Sequence, residues 1–175
     1  MIQNQDVPIQ PLYEVSVIVP VFNVENFITT CLSSIVAQTF RNFELLLIND
    51  CTQDRSMEIA LNYLQQHPDT FYRVINHKEN LGLSAARNTG IDEAKGKFII
   101  FIDSDDWIPV NTLKDLYEEI INHSQSVVCG NTISVVEGVE TKYWVDLKER
   151  KVFEKDDAIR RMLIYDELLD TSWAK

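Results

Sequence analysis

Three aspartates within four residues are the part of this chain best suited to chemistry. They follow an apolar run in the segment Phe98-Ile-Ile-Phe-Ile-Asp-Ser-Asp-Asp-Trp107. The run is too short to cross a membrane and predicts a strand buried on both faces. Segment 103–106 would then leave the strand at the sheet edge where α/β proteins bind ligands. Carboxylates this close repel one another, so the pattern predicts either a bound divalent metal or one acid with a raised pKa. An isolated Asp-x-Asp is also typical of a solvated turn or a helix cap.

Polar residues also follow the other apolar runs of the first half. These segments, which we call strand exits, are Pro20-Val-Phe-Asn-Val-Glu25, Asn49-Asp50-Cys-Thr-Gln-Asp54 and Asn76-His-Lys-Glu-Asn-Leu-Gly82. Asp50 is the most specific of these residues: a carboxylate only accepts hydrogen bonds, so it suits the N3–H of uracil and not cytosine, which lacks that proton. A turn or Asx-type cap is the alternative role for Asp50. Phe22 suits either a flat base or the core.

The segment Asn80-Leu-Gly-Leu-Ser-Ala-Ala-Arg87 predicts a glycine turn that leads into a helix. Free N–H groups at a helix start attract phosphate, and Arg87 can add a two-pronged contact. The alternative for Arg87 is an ion pair with an internal aspartate. Lys78, in the preceding loop, has the pattern of a solvated surface charge.

Strand and helix signals alternate around these motifs. Apolar runs predict strands at Val15–Val21, Phe43–Ile48, Phe71–Asn76 and Phe98–Ile102. Helical spacing follows each run, with Asp54, Ser84 and Asn111 as expected caps and Gly96 as the expected end of the third helix. Four such units imply an α/β fold with a mostly parallel sheet, right-handed crossovers and helices on both faces.

The regular alternation ends after residues 126–129, which predict one more strand. Thr132–Val136 and Thr141–Val145 are short β-prone pieces that predict a hairpin or flap. A last helix is expected to begin at Asp156 or Asp157.

Composition excludes several classes of protein. A formal charge of -11 over 175 residues repels polyphosphate, so nucleic-acid binding is not expected. The three cysteines are odd in number and widely spaced, which favours free thiols in a reducing compartment. Zinc is not expected, because the cysteines and the three histidines lack ligand spacing. Neither a secretory signal nor a transmembrane run is visible, so we expect a soluble cytoplasmic protein.

Four segments taken together resemble the inverting family-two nucleotide-sugar glycosyltransferases with the GT-A fold, a Rossmann-like architecture. The segments are Val17-Ile-Val-Pro-Val-Phe-Asn23, Asn49-Asp50, Glu79-Asn-Leu-Gly-Leu-Ser-Ala-Ala-Arg-Asn88 and Phe101-Ile-Asp-Ser-Asp-Asp106. The resemblance implies an N-terminal tail at 1–14, a nucleotide-sugar-binding core at 15–130 and, at 131–175, the start of an acceptor-side region.

The resemblance also implies roles for individual residues. Asp50 would recognise the base, while Asp103 and Asp105 would hold Mn²⁺ or Mg²⁺. Phe22 stands where the family more often has Tyr. The implied nucleotide-binding residues are Pro20, Val21, Phe22, Asn23, Glu25, Asp50, Asn80, Gly82, Arg87, Asp103 and Ser104.

The activity implied by the resemblance is hexosyl transfer (EC 2.4) from a UDP-sugar to a hydroxyl of a saccharide or lipid-linked saccharide. Such enzymes serve bacterial cell-surface polysaccharide synthesis, in the cytoplasm or at the inner face of the membrane. The family places its general base beyond a stretch that Trp173-Ala-Lys175 resembles, so no catalytic base is assigned. Asp166, Glu167 and Asp170 are expected to cap or solvate the last helix.

Two alternatives come from other classes of protein. A non-catalytic nucleotide-sugar-binding module is compatible with these motifs, because they concern donor binding. A nucleotidyltransferase would need a glycine-rich and basic loop for triphosphate, and Val17–Asn26 contains no Gly, Lys or Arg.

Overall fold

A computed structural model describes residues 12–122, 128, 133–136 and 139–143. The chain divides into two compact units, Met1–Tyr117 and Glu118–Lys175. Among the described residues, no helix is both long enough and apolar enough to cross a membrane.

The first unit is built on a parallel four-stranded sheet. The strands lie in the order β3-β2-β1-β4, and each neighbouring pair is parallel. This arrangement confirms the predicted α/β class and its strand-helix alternation. The elements are β1 (Tyr13–Val21), α1 (Ile28–Val36), β2 (Phe43–Asn49), α2 (Ser56–Gln65), β3 (Tyr72–Asn76), α3 (Leu83–Glu93), β4 (Gly96–Phe101) and α4 (Thr112–Ile121).

The register brings the polar strand exits to one edge of the sheet. Val21 at the end of β1 pairs with Asn49 at the end of β2, which in turn pairs with Asn76 at the end of β3. Ile18 of β1 pairs with Phe101, the last residue of β4. The loops that follow the strands therefore begin side by side, as predicted from the strand exits.

Apolar side chains cover both faces of the sheet. On one face, Val17, Val19 and Leu47 belong to a core cluster that also contains Ile28 and Leu32 of α1. On the other face, a smaller cluster joins the sheet to α3 through Ala86; its buried members are Ile18, Leu46, Ile48 and Ala86. Full burial of a Leu or Ile side chain contributes roughly 1.5 to 3 kcal/mol, so both layers hold the strand exits in place. Helices on both faces are confirmed.

Strand β4 differs from its prediction. It lies at one edge of the described sheet, and its exposure alternates along the strand, with Ile99 43% exposed. The expectation of a strand buried on both faces is therefore wrong, because the described elements leave one face of β4 partly uncovered, and alternate side chains point to that face. Ile102, directly before Asp103, is nevertheless buried at 4% exposure.

The helix caps also differ from the sequence prediction. Helix α3 begins at Leu83 after Gly82, so Ser84 lies in the first turn and is not the cap. At α4, the N–H of Leu113 donates to Oε1 of Gln38, whereas Asn111 Oδ1 accepts from Thr39. A side chain distant in sequence supplies the cap, and local spacing cannot reveal such a partner.

Gly96 opens β4 rather than ending α3. A Cβ at this position would lie 2.5 Å from the backbone N of Ser16, so the close approach of β4 to β1 requires glycine. The N–H of Gly96 donates to Ser16 Oγ, which donates to the fully buried Glu44. Glu44 also accepts from the N–H of Lys95 and from Arg73. This network fixes the corner between α3 and β4.

In the second unit, the structure describes the end of α4, residues 122 and 128, and an antiparallel hairpin. Its strands are β5 (Ile133–Val136) and β6 (Val139–Tyr143), with an irregular register between Ser134 and Val135. The hairpin confirms the prediction for this region. The predicted last helix, the carboxylates Asp166, Glu167 and Asp170, and most of the predicted strand at 126–129 lie outside the described residues.

Candidate functional site

A cleft of about 400 Å³ lies at the carboxyl edge of the sheet in the first unit. Its walls come from the ends of β1 and β2, the start of α3 and the exit of β4. Nine of the predicted site residues line it, together with Val24, Leu83 and Ala86, which the prediction did not assign. The lining residues are Pro20, Val21, Phe22, Val24, Asp50, Asn80, Gly82, Leu83, Ala86, Asp103, Ser104 and Asp105.

Asp50 is a buried acceptor at one end of the cleft. Only 3% of the residue is exposed. Its Oδ1 accepts from the N–H of Leu81 at 2.9 Å and contacts His77 Nδ1 at 2.7 Å, and its Oδ2 accepts from the N–H of Gly82 at 2.8 Å. Burial raises the pKa of Asp50, but the bonds from Leu81, His77 and Gly82 outweigh burial and lower it. The carboxylate is therefore held ionised.

Gly82 gives the loop the shape that surrounds Asp50. Its φ of +87° and ψ of 163° belong to a region that is essentially restricted to glycine. A Cβ would meet nothing within 4 Å, so backbone conformation and not lack of space requires glycine here. The N–H of Gly82 also donates to Asn80 Oδ1 at 2.9 Å.

His77 is a site neighbour that the sequence analysis missed. It directly follows β3, and 7% of its side chain is exposed. Its Nδ1 contacts Asp50, and its Nε2 lies 2.9 Å from Thr89 Oγ1 on α3. The rule that polar residues at strand exits meet at one edge applies to His77 as well, and that signal could have identified it.

Asn23 and Glu25 do not line the cleft, although both were predicted nucleotide contacts. Asn23 has a φ of 54°, and its Oδ1 accepts from the N–H of Gln53 at 3.2 Å. Glu25 accepts from the N–H of Arg55 at 3.0 Å. Both side chains accept hydrogen bonds that connect the loop after β1 to the loop after β2, so they stabilise these loops without lining the cleft.

Asp54 completes this connection between the two loops. It accepts from the N–H of Ser56 at 3.0 Å, from Thr52 Oγ1 at 2.8 Å and from the N–H of Glu25 at 2.9 Å. Burial raises the pKa of Asp54, but the hydrogen bonds from Ser56, Thr52 and Glu25 outweigh it and lower the pKa to about 2. Arg55 and not the predicted Asp54 occupies the N-cap position of α2, although the bond from Ser56 places the Asp54 carboxylate at the start of that helix.

Asp103 lies at the other end of the cleft and pairs with Arg87. The Oδ1 to Nη2 distance is 2.8 Å, and the side chains are 26% and 11% exposed. Burial raises the pKa of Asp103; Arg87 opposes this shift and Asp105 adds to it. Of the two roles left open for Arg87, the structure shows the ion pair. A phosphate contact by Arg87 stays a prediction.

The environment of Asp103 is strongly negative. Below it, the buried Cys31 thiol lies 3.5 Å from the carbonyl oxygen of Asp103. Burial raises the pKa of Cys31 to about 12, and Asp106, Asp105 and Asp103 contribute to that rise. Burial also raises the pKa of Asp106, with Asp105 and Asp103 adding to the shift. A cation would relieve this repulsion.

The donor set fits a Mg²⁺ or Mn²⁺ that takes only part of its coordination from protein. Within the described residues, no three His, Cys, Asp or Glu side chains lie close enough to hold a metal. Asp103 and Asp105 line the same cleft, and Arg87 donates to Asp103 Oδ1. Mg²⁺ is commonly held by one or two carboxylates together with substrate phosphates and water. The predicted pair therefore suits such an ion.

Comparisons with known proteins agree with this geometry. Residues 16–171 match the family model described as Glycosyl transferase family 2. The chain is 35% identical to glycosyltransferase GlyA of Streptococcus pneumoniae serotype 4, over 93% of this chain and 22% of that protein. It is 37% identical to the minor teichoic acid biosynthesis protein GgaB of Bacillus subtilis, over 66% of this chain and 13% of that protein.

Solved structures give the same result for the fold. Residues 1–349 of S. aureus TarS in complex with UDP match with a TM-score of 0.63 at 30% identity, over 78% of this chain and 40% of that chain. A TarS complex with UDP-GlcNAc has the same TM-score and identity. The chain thus spans less than half the length of each of these relatives.

Proposed function

Because this chain belongs to glycosyl transferase family 2 and has the GT-A fold, we propose that its cleft binds a UDP-sugar whose sugar passes to an acceptor hydroxyl with inversion. The observation that carries this proposal is that one cleft contains two different kinds of site. The hydrogen-bond acceptor Asp50 lies at one end, and the carboxylates Asp103 and Asp105 lie at the other. The similarity to TarS, solved with UDP and with UDP-GlcNAc, supports a uridine donor.

At the base end, the chain offers one kind of interaction. Asp50 is ionised and accepts hydrogen bonds only, so a uracil N3–H suits it and a cytosine N3 lone pair does not. Phe22 lines the same cleft with 39% of its surface exposed, which leaves its ring available to pack on a base.

At the phosphate end, the chain must offset the charge of a departing diphosphate. Asp103 and Asp105 would hold Mg²⁺ or Mn²⁺, which supplies charge neutralisation for the leaving group when bound. Arg87 keeps Asp103 in place from the side of α3. Leu83 and Ala86, from the first turn of α3, also line the cleft.

The acceptor and the setting are further parts of the proposal. The relationship to a teichoic acid biosynthesis protein supports a saccharide or lipid-linked saccharide acceptor in bacterial cell-surface polymer synthesis. The family match favours glycosyl transfer over nucleotidyl transfer. The general base stays unassigned.

A thermal melting assay tests the donor and metal together. With UDP at about 100 times its dissociation constant, linkage stabilises the fold by about 2.7 kcal/mol. For a chain of this size we expect a rise in Tm of roughly 5 to 10 °C in the presence of Mn²⁺. Most of the rise should disappear with EDTA. An equal rise with and without EDTA would contradict the metal assignment, and no rise with any uridine nucleotide would contradict the donor.

Transfer is tested separately on the full natural protein. It is incubated with a panel of UDP-sugars and cell-wall acceptors, and UDP release is measured beside the anomeric configuration of the product. Inverted product supports the proposal, and retained configuration overturns the inverting mechanism. Tight UDP-sugar binding without transfer to any acceptor would favour a non-catalytic binding module.

A further inference from the structure

His77 contacts Asp50 Oδ1 through Nδ1 and contacts Thr89 of α3 through Nε2. The geometry points to His77 as a specificity-determining residue that restricts Asp50 to a single free acceptor position and thereby selects uracil. The inference rests on the proposed uridine donor. It assigns to His77 a positioning role that acts through Asp50.

Counting the hydrogen bonds of Asp50 is the first step. An ionised carboxylate has about four lone-pair positions, two on each oxygen. The N–H of Leu81 and His77 Nδ1 occupy Oδ1, and the N–H of Gly82 occupies one position on Oδ2. One position on Oδ2 is left for a ligand in the cleft that Asp50 lines.

The hydrogen-bond role of each His77 ring nitrogen follows from its partner. Asp50 can only accept, so Nδ1 must carry a hydrogen. In the neutral ring, Nε2 is then an acceptor for the hydroxyl of Thr89, 2.9 Å away. Both ring nitrogens are thus used, and a side chain that is only 7% exposed has little freedom to turn. Thr89 fixes the ring that donates to Asp50.

Loss of the His77 donor would change what Asp50 can bind. Oδ1 would gain a free acceptor position, and the carboxylate would no longer be held on that side. A carboxylate with two free positions can also turn to accept from the exocyclic amino group of cytosine, a donor that uracil lacks. Discrimination between uracil and cytosine should therefore fall even though Asp50 itself is unchanged.

The ratio of UDP to CDP affinity isolates this effect. The two nucleotides share ribose, diphosphate and metal, so changes in fold stability or phosphate binding largely cancel in the ratio. We compare His77→Leu, which removes the donor, with His77→Asn, whose amide can donate from nearly the position of Nδ1. Thr89→Val keeps the shape of Thr89 and removes only the hydroxyl.

Calorimetry with UDP and CDP in the presence of Mn²⁺ gives the ratios. We expect about ten-fold or greater preference for UDP in the unmutated protein and a ratio near one in His77→Leu. His77→Asn should retain most of the preference, and Thr89→Val should lose at least three-fold of it. Thermal melting of each variant confirms that it is folded.

The outcomes separate this inference from the donor proposal. A strong UDP preference in the unmutated protein that His77→Leu leaves intact overturns the role of His77, while the uridine donor stands. If His77→Leu does not fold, an unchanged ratio in Thr89→Val overturns the role instead. Equal affinity for UDP and CDP in the unmutated protein overturns both proposals together.

Discussion

The two ends of the cleft use the same residue type in opposite ways. Asp50 follows β2 and Asp103 follows β4, and both are largely or partly buried. Hydrogen bonds from Leu81, His77 and Gly82 overcome burial and lower the pKa of Asp50. At Asp103, burial and the neighbouring Asp105 together exceed the effect of Arg87, and the pKa is raised. Strand position alone therefore does not decide what an aspartate does.

The difference shows what each end requires from a ligand. Backbone N–H groups fix Asp50 in place before any ligand arrives, so little reorganisation is needed when a base binds. Asp103 and Asp105 instead repel each other, and a cation would remove that cost. We therefore expect the base end to control selectivity and the carboxylate pair to control dependence on metal.

The largest expected effect is at the metal end. Asp105→Asn removes one of two proposed ligands and part of the repulsion that a cation offsets. We expect the Mn²⁺-dependent part of the roughly 5 to 10 °C rise in Tm with UDP to disappear. The measurement is thermal melting with UDP plus Mn²⁺ or EDTA.

Asp92→Asn is the matched control for Asp105→Asn. It makes the same charge change on an exposed side chain near the other end of α3. The rise in Tm should be unchanged in this variant. If Asp105→Asn also keeps the full metal-dependent rise, the metal ion is not bound by this pair.

The second prediction concerns Asp50, at the base end of the cleft. Asp50→Ala removes the proposed acceptor for uracil N3–H and leaves the N–H of Leu81 and His77 Nδ1 without their Asp50 partner. An unpaired buried polar group costs about 1 to 3 kcal/mol, so we expect the preference for UDP over CDP to fall from about ten-fold to near one. Calorimetry measures both affinities.

The metal dependence of nucleotide binding should survive in Asp50→Ala. Affinity for UDP measured with Mn²⁺ and with EDTA should still differ, since Asp103 and Asp105 are unchanged. A variant that loses metal dependence and keeps the UDP preference would show that the two ends have been assigned in the wrong order.

Most of the fold could be predicted because its signals are local and strong. Continuous apolar runs such as Phe43–Ile48 define strands, and helical spacing between them requires parallel connections. Since parallel strands end at one edge, the meeting of Asp50, Asn80 and Asp103 followed from the parallel direction of the strands. The edge position of β4 could not be predicted, because a short apolar run reads the same in a central or an edge strand.

Side-chain partners in the site were harder to predict. The strand-exit rule places His77 near the site, but its contact with Asp50, 27 residues away, has no local signal in the sequence. Asn23 and Glu25 were assigned to the ligand, yet their oxygens accept from the N–H groups of Gln53 and Arg55. A polar residue at a strand exit serves a ligand or a neighbouring loop, and only the three-dimensional arrangement separates these roles.

The smallest expected effect is at Asp54. This carboxylate accepts several hydrogen bonds, as Asp50 does, but it does not line the cleft, so it separates stability from base selectivity. Asp54→Asn removes the charge that accepts from Ser56, Thr52 and Glu25. We expect a loss of about 1 kcal/mol, or roughly 2 to 4 °C in Tm, at pH 7. The ratio of UDP to CDP affinity should not change, in contrast to Asp50→Ala.

The pH dependence of Asp54→Asn follows from the direction of its pKa shift. The pKa of Asp54 is lowered from an ordinary value of 3.8 to about 2, so its contribution to stability is complete above the unfolded-state pKa and is lost as the pH falls through the folded-state pKa. Urea midpoints of the variant and the unmutated protein should differ by a constant amount from pH 7 to about pH 5 and converge as the pH falls from about 4 towards 2. Asp69→Asn, at an exposed position, controls for the loss of one negative charge. A gap that widens on acidification would show that the hydrogen bonds to Asp54 do not stabilise its ionised form.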